Sequence, residues 1–173
     1  LRVPATTLMD LSRILTDGQK SEVRFDGEQV SFIAENIVLT SRLVDGNFID
    51  YRKLIPKDTD FSAEVDRAEL QKITKVAALF AKNAAGSVVI KLDEKAGELA
   101  MQSLASEIGE NSSVLEADVK GDGSISLNSK FLTDGLSAIS GERVKLQFSG
   151  KLAPVLLTGA SDDYKHIIMP VKS

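Results

Sequence analysis

The residues able to do chemistry in this chain are few. His166 is the sole histidine and cysteine is absent. Zinc coordination, thiol catalysis and an ordinary Ser-His-Asp relay therefore all lack parts. His166 itself, near the end of the chain, reads as a structural or exposed imidazole. Two acidic pairs remain, Glu107 with Glu110 and Asp162 with Asp163. A carboxylate pair is what glycoside hydrolysis requires, one group protonating the leaving oxygen and the other attacking or activating water. Nothing in the spacing selects either pair, and both read as loop charge. Gly121-Asp122-Gly123 is too short for a phosphate-binding loop and lacks the strand and helix that must frame one. An α+β hydrolase using a carboxylate pair stands as the alternative reading of the function. No cofactor and no metal is expected.

The positive charges are better organised. At about 100° per residue, a helix from Asp66 to about Lys82 places Leu70, Ile73, Val76, Ala77 and Phe80 on one broad face. Arg67, Lys72, Lys75 and Lys82 fall on the opposite face with no acid among them, Glu69 lying to the side. Such a stripe suits a surface that tracks phosphates, where released counterions supply affinity without reading sequence. A solvated helix face has the same pattern, and exposed lysines are common. The net charge of −4 argues against a protein that is basic all over.

Two further stretches carry apolar side chains in unusual settings. In "SRLVDGNFIDYRKLIP", Ser41 to Pro56, the Asp45-Gly46 turn precedes Phe48 and Tyr51, whose burial would anchor the segment. Leu54 and Ile55 then fall where a domain seam is expected, a place where apolar grooves form. Plain core packing explains the same four residues. The closing "HIIMPVKS" ends with Met169, an adaptable side chain, and Pro170, which removes a ladder donor and suits a strand end.

The elements that must position these residues form a repeat. The 173 residues are 43% hydrophobic and 27% charged, an ordinary globular composition. No apolar run approaches the ~20 residues of a membrane helix, and Leu1-Arg2-Val3-Pro4 lacks the form of a signal peptide. Arg2–Pro4 can start as a strand, followed by a helix over Thr6–Leu15 with a threonine as its cap. Strands are then expected at Ser21–Phe25, Gln29–Ala34 and Ile37–Leu43, the first two joined by an Asp26-Gly27 hairpin. A second copy runs from strand Phe61–Val65 through an Asp66-capped helix to strands Val88–Leu92, Leu99–Leu104 and Val114–Val119, with Gly97 and Gly109 in turns. The third begins at Ser124–Leu127, takes Asn128 as cap for a helix carrying Phe131, Leu132, Leu136 and Ile139, and ends with Val144–Phe148, Val155–Leu157 and His166–Met169. Gly141 lies just past that helix.

Three β-α-β-β-β units of this kind fall in the period of repeat architectures. A lone unit leaves its sheet half-covered and its edges unpaired, so units should pair into domains. The expected arrangement is an orphan unit at 1–56 and a complete two-unit domain at 57–173, with a linker around Leu54–Asp60. Beginning at Leu1, the chain reads as a fragment or a processed product. A repeat-built interaction domain with no link to DNA fits the same pattern.

The stretch Ser41–Pro56, the tail "HIIMPVKS" and the triple repeat together resemble the bacterial DNA polymerase III beta subunit family, the sliding clamps. The resemblance implies an α+β clamp fold of β-α-β-β-β units, two per domain, with 1–56 as the second half of the middle domain and 57–173 as the C-terminal domain. It implies a non-catalytic processivity factor of the bacterial cytoplasm, associated with the nucleoid. In full length it would be a head-to-tail homodimer that encircles double-stranded DNA without sequence preference and has no membrane association. Expected partners are the polymerase III alpha subunit, the clamp-loader subunits and other proteins with clamp-binding motifs. Carried over by position, the pocket for their peptides takes Ile49, Lys53, Leu54, Asn128, Phe131, Leu152, Pro154, Ile167, Met169, Pro170 and Val171. Arg67, Lys72, Lys75 and Lys82 would face DNA, and Ala78 with Leu79 would close the ring. Ile49 departs from a proline frequent in the family, Phe131 from a tyrosine, and Ala84 from a bulky aromatic. The family's "TDGHRL"-like pocket wall has no counterpart here, so the pocket of this chain is expected to be incomplete.

Overall fold

The computed structural model describes residues 1–81, 86–105, 109–160 and 164–172, with backbone alone at 104 and 105. They fall into two compact units, Leu1–Asp50 and Tyr51–Ser173.

In the first unit, helix α1 (Ala5–Ile14) precedes the antiparallel strands β1 (Glu22–Phe25), β2 (Gln29–Ala34) and β3 (Ile37–Arg42), ordered β1-β2-β3. The Asp26-Gly27 turn forms as the residue types require. Gly27 takes φ +100°, and the Asp26 carboxylate accepts from the backbone N–H groups of Gln29 at 2.8 Å and Glu28 at 3.0 Å. Those two donors, Gln29 first, hold the Asp26 carboxyl below the usual carboxylate range. No threonine caps α1. Pro4 occupies the cap position without a side-chain bond, and Thr7, now inside the helix, shares a 2.9 Å hydrogen bond with the Ser41 hydroxyl on β3. Nor is Arg2–Pro4 a strand; the Arg2 carbonyl accepts one bond, from the Val44 N–H at 2.8 Å.

The second unit explains why. It runs β4 (Phe61–Asp66), α2 (Arg67–Phe80), β5 (Ser87–Asp93), β6 (Glu98–Ala105), β7 (Gly109–Glu116) and β8 (Asp118–Lys120), then β9 (Gly123–Asn128), α3 (Ser129–Ala138), β10 (Arg143–Phe148), β11 (Val155–Thr158) and β12 (Lys165–Ile168). One sheet is ordered β12-β11-β10-β4-β8 and the other β7-β6-β5-β9. The two repeat copies have exchanged their leading strands: β4 pairs with β10 of the later copy, and β9 with β5 of the earlier one. A leading strand therefore belongs to the other copy's sheet. The segment before α1 has no second sheet in its own unit to join, so it stays unpaired as a strand.

The exchange is locked by similar bonds at both crossings. Asp66 and Asn128, each the last residue of a leading strand, accept from the N–H of Glu69 at 2.8 Å and of Lys130 at 2.9 Å, capping α2 and α3. The first residue of each helix then reaches the opposite copy, Arg67 N–H to the Glu142 carbonyl at 2.7 Å and Ser129 N–H to the Gly86 carbonyl at 2.8 Å.

The expected strand Val114–Val119 is two strands in two sheets. β7 stops at Glu116, Ala117 N–H bonds to the Gly97 carbonyl at 2.8 Å, and β8 crosses to the free edge of β4, Val119 opposite Ala63. The tail repeats this move on the symmetry-related edge, where Val171 N–H donates to the Ser126 carbonyl of β9 at 2.8 Å.

The core of the second unit joins Leu70 and Ala77 of α2 and Leu132 and Leu136 of α3 to Ile90, Met101, Ile125 and Leu146 of the sheets. The α2 face is rotated from the expected one. Thr74 is fully buried, its hydroxyl donating to the Leu70 carbonyl at 2.6 Å, whereas Val76 is exposed. A threonine satisfied inside its own helix can enter a core, and the buried row becomes Leu70, Thr74, Ala77. Gly121 and Gly123 make room for Phe61: a Cβ on Gly123 would lie 2.8 Å from its ring. The Phe61 ring in turn packs on Phe148 with centroids 5.2 Å apart. Among the described residues no helix is long and apolar enough to cross a membrane.

Candidate functional site

The acidic pairs offer little. Glu107, Asp162 and Asp163 lie outside the described residues, and Glu110, expected in a loop, stands in β7 opposite Leu104. No group of three metal-ligating side chains occurs among the described residues.

The apolar candidates of the second unit lie on α3, before β11, and on β12 with the tail that follows it. In the antiparallel pair β11–β12, Val155 stands opposite Ile168 and Leu156 opposite Ile167. Pro154 immediately precedes β11 and Met169 immediately follows β12, at the same end of that pair. The tail then reaches β9 through the Val171–Ser126 bond, two residues before Asn128, which caps the helix bearing Phe131. Three large apolar side chains at this end are open to solvent, Phe131 at 53%, Met169 at 56% and Leu152 at 64%. Ile167, Pro154, Pro170 and Val171 are half-buried. Exposed Phe and Met held on a helix start and a strand end form a surface suited to an apolar side chain of a partner.

Other expected residues come from the segment before β4. Lys53 closes the short 3-10 turn Tyr51–Lys53, and the Leu54 N–H bonds to the Tyr51 carbonyl at 3.0 Å. Ile49 belongs to the first unit and is exposed. Phe48 and Tyr51, expected to anchor the segment by burial, are also exposed; the Tyr51 ring lies 5.9 Å from the Arg52 guanidinium carbon, a cation–π contact at the surface.

The basic stripe is narrower than expected. Lys72 and Lys75 are exposed and make no ion pair among the described residues. Arg67 is half-buried and turned toward α3: its Nε donates to the Gly141 carbonyl at 2.7 Å and its Nη1 to the Leu136 carbonyl at 3.3 Å. A cation at the end of a helix satisfies carbonyls that lack an intrahelical partner, a task that directs this guanidinium away from the stripe. Lys82 and Ala84 lie outside the described residues. On the same helix Ala78 is half-buried and Leu79 exposed.

One residue pair in this region was missed at the level of sequence. His166 is packed against Gly135 of α3, and its Nδ1 is 3.0 Å from the Tyr164 hydroxyl. The signal was a glycine inside a helical pattern, which marks close approach.

Comparison with known proteins places this geometry. Residues 52–172 match the C-terminal domain of the DNA polymerase III beta subunit, and residues 1–50 match its central domain. The beta sliding clamp of Staphylococcus aureus (strain Mu50) is 30% identical over 175 residues, covering 99% of this chain and 46% of that protein. The beta sliding clamp of Bacillus subtilis is 32% identical over 176 residues with the same coverage. The crystal structure of the DNA polymerase III subunit beta from Pseudomonas aeruginosa superposes with a TM-score of 0.85 at 25% identity, over 99% of this chain and 47% of that one. The chain thus spans about half the length of the curated relatives it matches, and its α+β architecture is the DNA clamp fold.

Proposed function

The chain belongs to the DNA polymerase III beta subunit family, and from that premise we propose that it is the C-terminal part of a ring-shaped sliding clamp, a processivity factor in DNA replication. Residues 1–56 supply the second half of the middle domain and 57–173 the C-terminal domain. The ring, a head-to-tail dimer closed through the surface of Ala78 and Leu79, tethers a polymerase to duplex DNA in the bacterial cytoplasm. It catalyses nothing; phosphoryl transfer belongs to the polymerase it holds. Lys72 and Lys75 face the DNA backbone. Partners such as the polymerase alpha subunit and the clamp loader insert short peptides at the site built on Asn128, Phe131, Leu152, Pro154 and Ile167–Val171, which Lys53 and Leu54 extend. The observation that carries this reading is the exposure of three large apolar side chains, Phe131 at the start of α3, Leu152 shortly before β11 and Met169 just after β12. A solvated apolar cluster on a rigid frame favours docking of a partner's apolar side chains, about 25 cal/mol for each Å² covered.

Two titrations test it. A short, fluorescein-labelled peptide rich in leucine and phenylalanine should bind the chain, and Met169→Ala should weaken it; identical curves for parent and variant would remove Met169 from the site. With duplex DNA, binding should fall steeply with salt. Each phosphate contact contributes a slope of about 0.9 in log–log form, so Lys72→Glu with Lys75→Glu should lower the slope by about 2. Equal slopes would remove α2 from the DNA-facing surface.

A further inference from the structure

Among the described residues Gly135 is the single glycine inside a helix, six residues after the start of α3. Glycine there costs roughly 1 kcal/mol against alanine, so something must exclude a methyl group. The excluding group is His166. A Cβ on Gly135 would lie 2.5 Å from the imidazole Cδ2 and 3.0 Å from Cγ and Nε2. The ring is also held by Tyr164, whose hydroxyl is 3.0 Å from Nδ1 and whose ring stacks at a centroid distance of 6.0 Å. The imidazole thus contacts both the backbone of a helix and an aromatic ring.

The consequence lies one helical turn away. Phe131 precedes Gly135 by four residues and shares its stripe, about 6 Å along the axis. His166 precedes Ile167 and leads β12 into Met169 and Pro170. α3 and β12 are separate elements, and the width of any groove between Phe131 and Met169 depends on how they are spaced. We propose that His166, seated on Gly135 and held by Tyr164, is a positioning residue of the peptide site, setting the separation of Phe131 on α3 from Met169 on the tail. The ring touches no ligand itself. This inference rests on the peptide-site reading above.

The experiment uses the whole chain, the labelled peptide already described, and the fact that the sequence has one histidine, so its imidazole proton signals are unambiguous by NMR. Peptide addition to the parent should shift those signals. His166→Ala should raise Kd about tenfold, a change of 1.4 kcal/mol, while His166→Phe, which keeps a flat ring over Gly135, should restore most of the affinity. Gly135→Ala should weaken binding in the parent but be neutral or better once His166→Ala has vacated the space. If the parent binds and His166→Ala leaves Kd unchanged, the positioning role is overturned and the site stands. An equal loss from Gly135→Ala in both backgrounds also overturns it. Should His166→Ala fail to fold, the parent decides: a peptide that binds without moving the imidazole signals refutes the role. A folded parent that binds no peptide removes the site, and the inference with it.

Discussion

The two units of this chain start from the same kind of repeat and end with different interiors. α1 has no buried residue, whereas α2 buries Leu70, Thr74 and Ala77, and α3 buries Ser129, Leu132, Gly135 and Leu136. Every residue of β1 is exposed, and of the first sheet only Val30, Phe32 and Ala34 of β2 are buried. Leu8, Met9, Val23 and Phe25 remain open to solvent. The difference is not one of composition, since both units place apolar residues at helical and strand spacing. It is the exchange of leading strands. In Tyr51–Ser173 each copy receives a strand and a helix neighbour from the other, and Gln71 on α2 reaches Ser137 on α3 with a 3.0 Å hydrogen bond. The copy in Leu1–Asp50 receives neither within its own unit, so one β-α-β-β-β copy does not complete a core.

The largest effect that would break this comparison is in local stability. Backbone amides of β5, β6 and β10 should exchange only through global opening, while those of β1–β3 exchange through local opening at far lower free energy. Equal protection in the two sheets, measured by hydrogen exchange on the intact chain, would show that the lone copy is as well buttressed as the pair.

A pair of matched truncations sharpens the point. Leu132→Ala removes a fully buried side chain from α3 and should destabilise the second unit by about 2–5 kcal/mol. Leu8→Ala on α1, where the side chain is already 47% exposed, should stay within about 0.5 kcal/mol. Urea unfolding of both variants reads the difference; similar midpoint shifts would mean that the α1 surface is covered in solution.

These contrasts also mark how far the sequence could be read. Both helix caps were legible because Asp66 and Asn128 act locally, on backbone N–H groups two or three residues ahead. The Asp26-Gly27 turn was legible for the same reason. The departure of β8 from β7 was not: Val114–Val119 keeps its alternation through Ala117, and a period of two says nothing about which sheet a strand joins. Val76 was misplaced and Thr74 passed over because hydrophobicity alone does not bring a threonine inward, while its hydroxyl here is satisfied by the Leu70 carbonyl. Arg67 looked like a member of a stripe because its true partners, the carbonyls of Leu136 and Gly141, are distant in sequence. The apolar members of the proposed peptide site are hard to single out by pattern alone, since Phe131 reads like any other apolar residue of its helix and Met169 stands at a strand's end. Their assignment came from resemblance.

The smallest expected effect lies in the first unit's hairpin and tests whether its local order is self-sufficient. The Asp26 carboxylate holds the turn by accepting from Gln29 and Glu28, and its pKa is lowered by those bonds. A depressed folded-state pKa means that the stabilisation is complete above the unfolded carboxylate value, about 3.9, and is lost as pH falls through the lower folded value. Acidification should therefore loosen β1–β2 before it affects β5–β6, seen as faster exchange of the Gln29 and Glu28 amides. In Asp26→Ala that acid response should vanish, leaving the turn equally loose at neutral pH. A parent-like acid response in the variant would place the responsible group elsewhere, the neighbouring Glu22–Arg24 pair at 2.8 Å being the next candidate. Its carboxyl is likewise lowered, by the hydrogen bond and charge of Arg24; that is an exposed ion pair, so its response should weaken with added salt more than that of Asp26, whose partners are neutral backbone N–H groups.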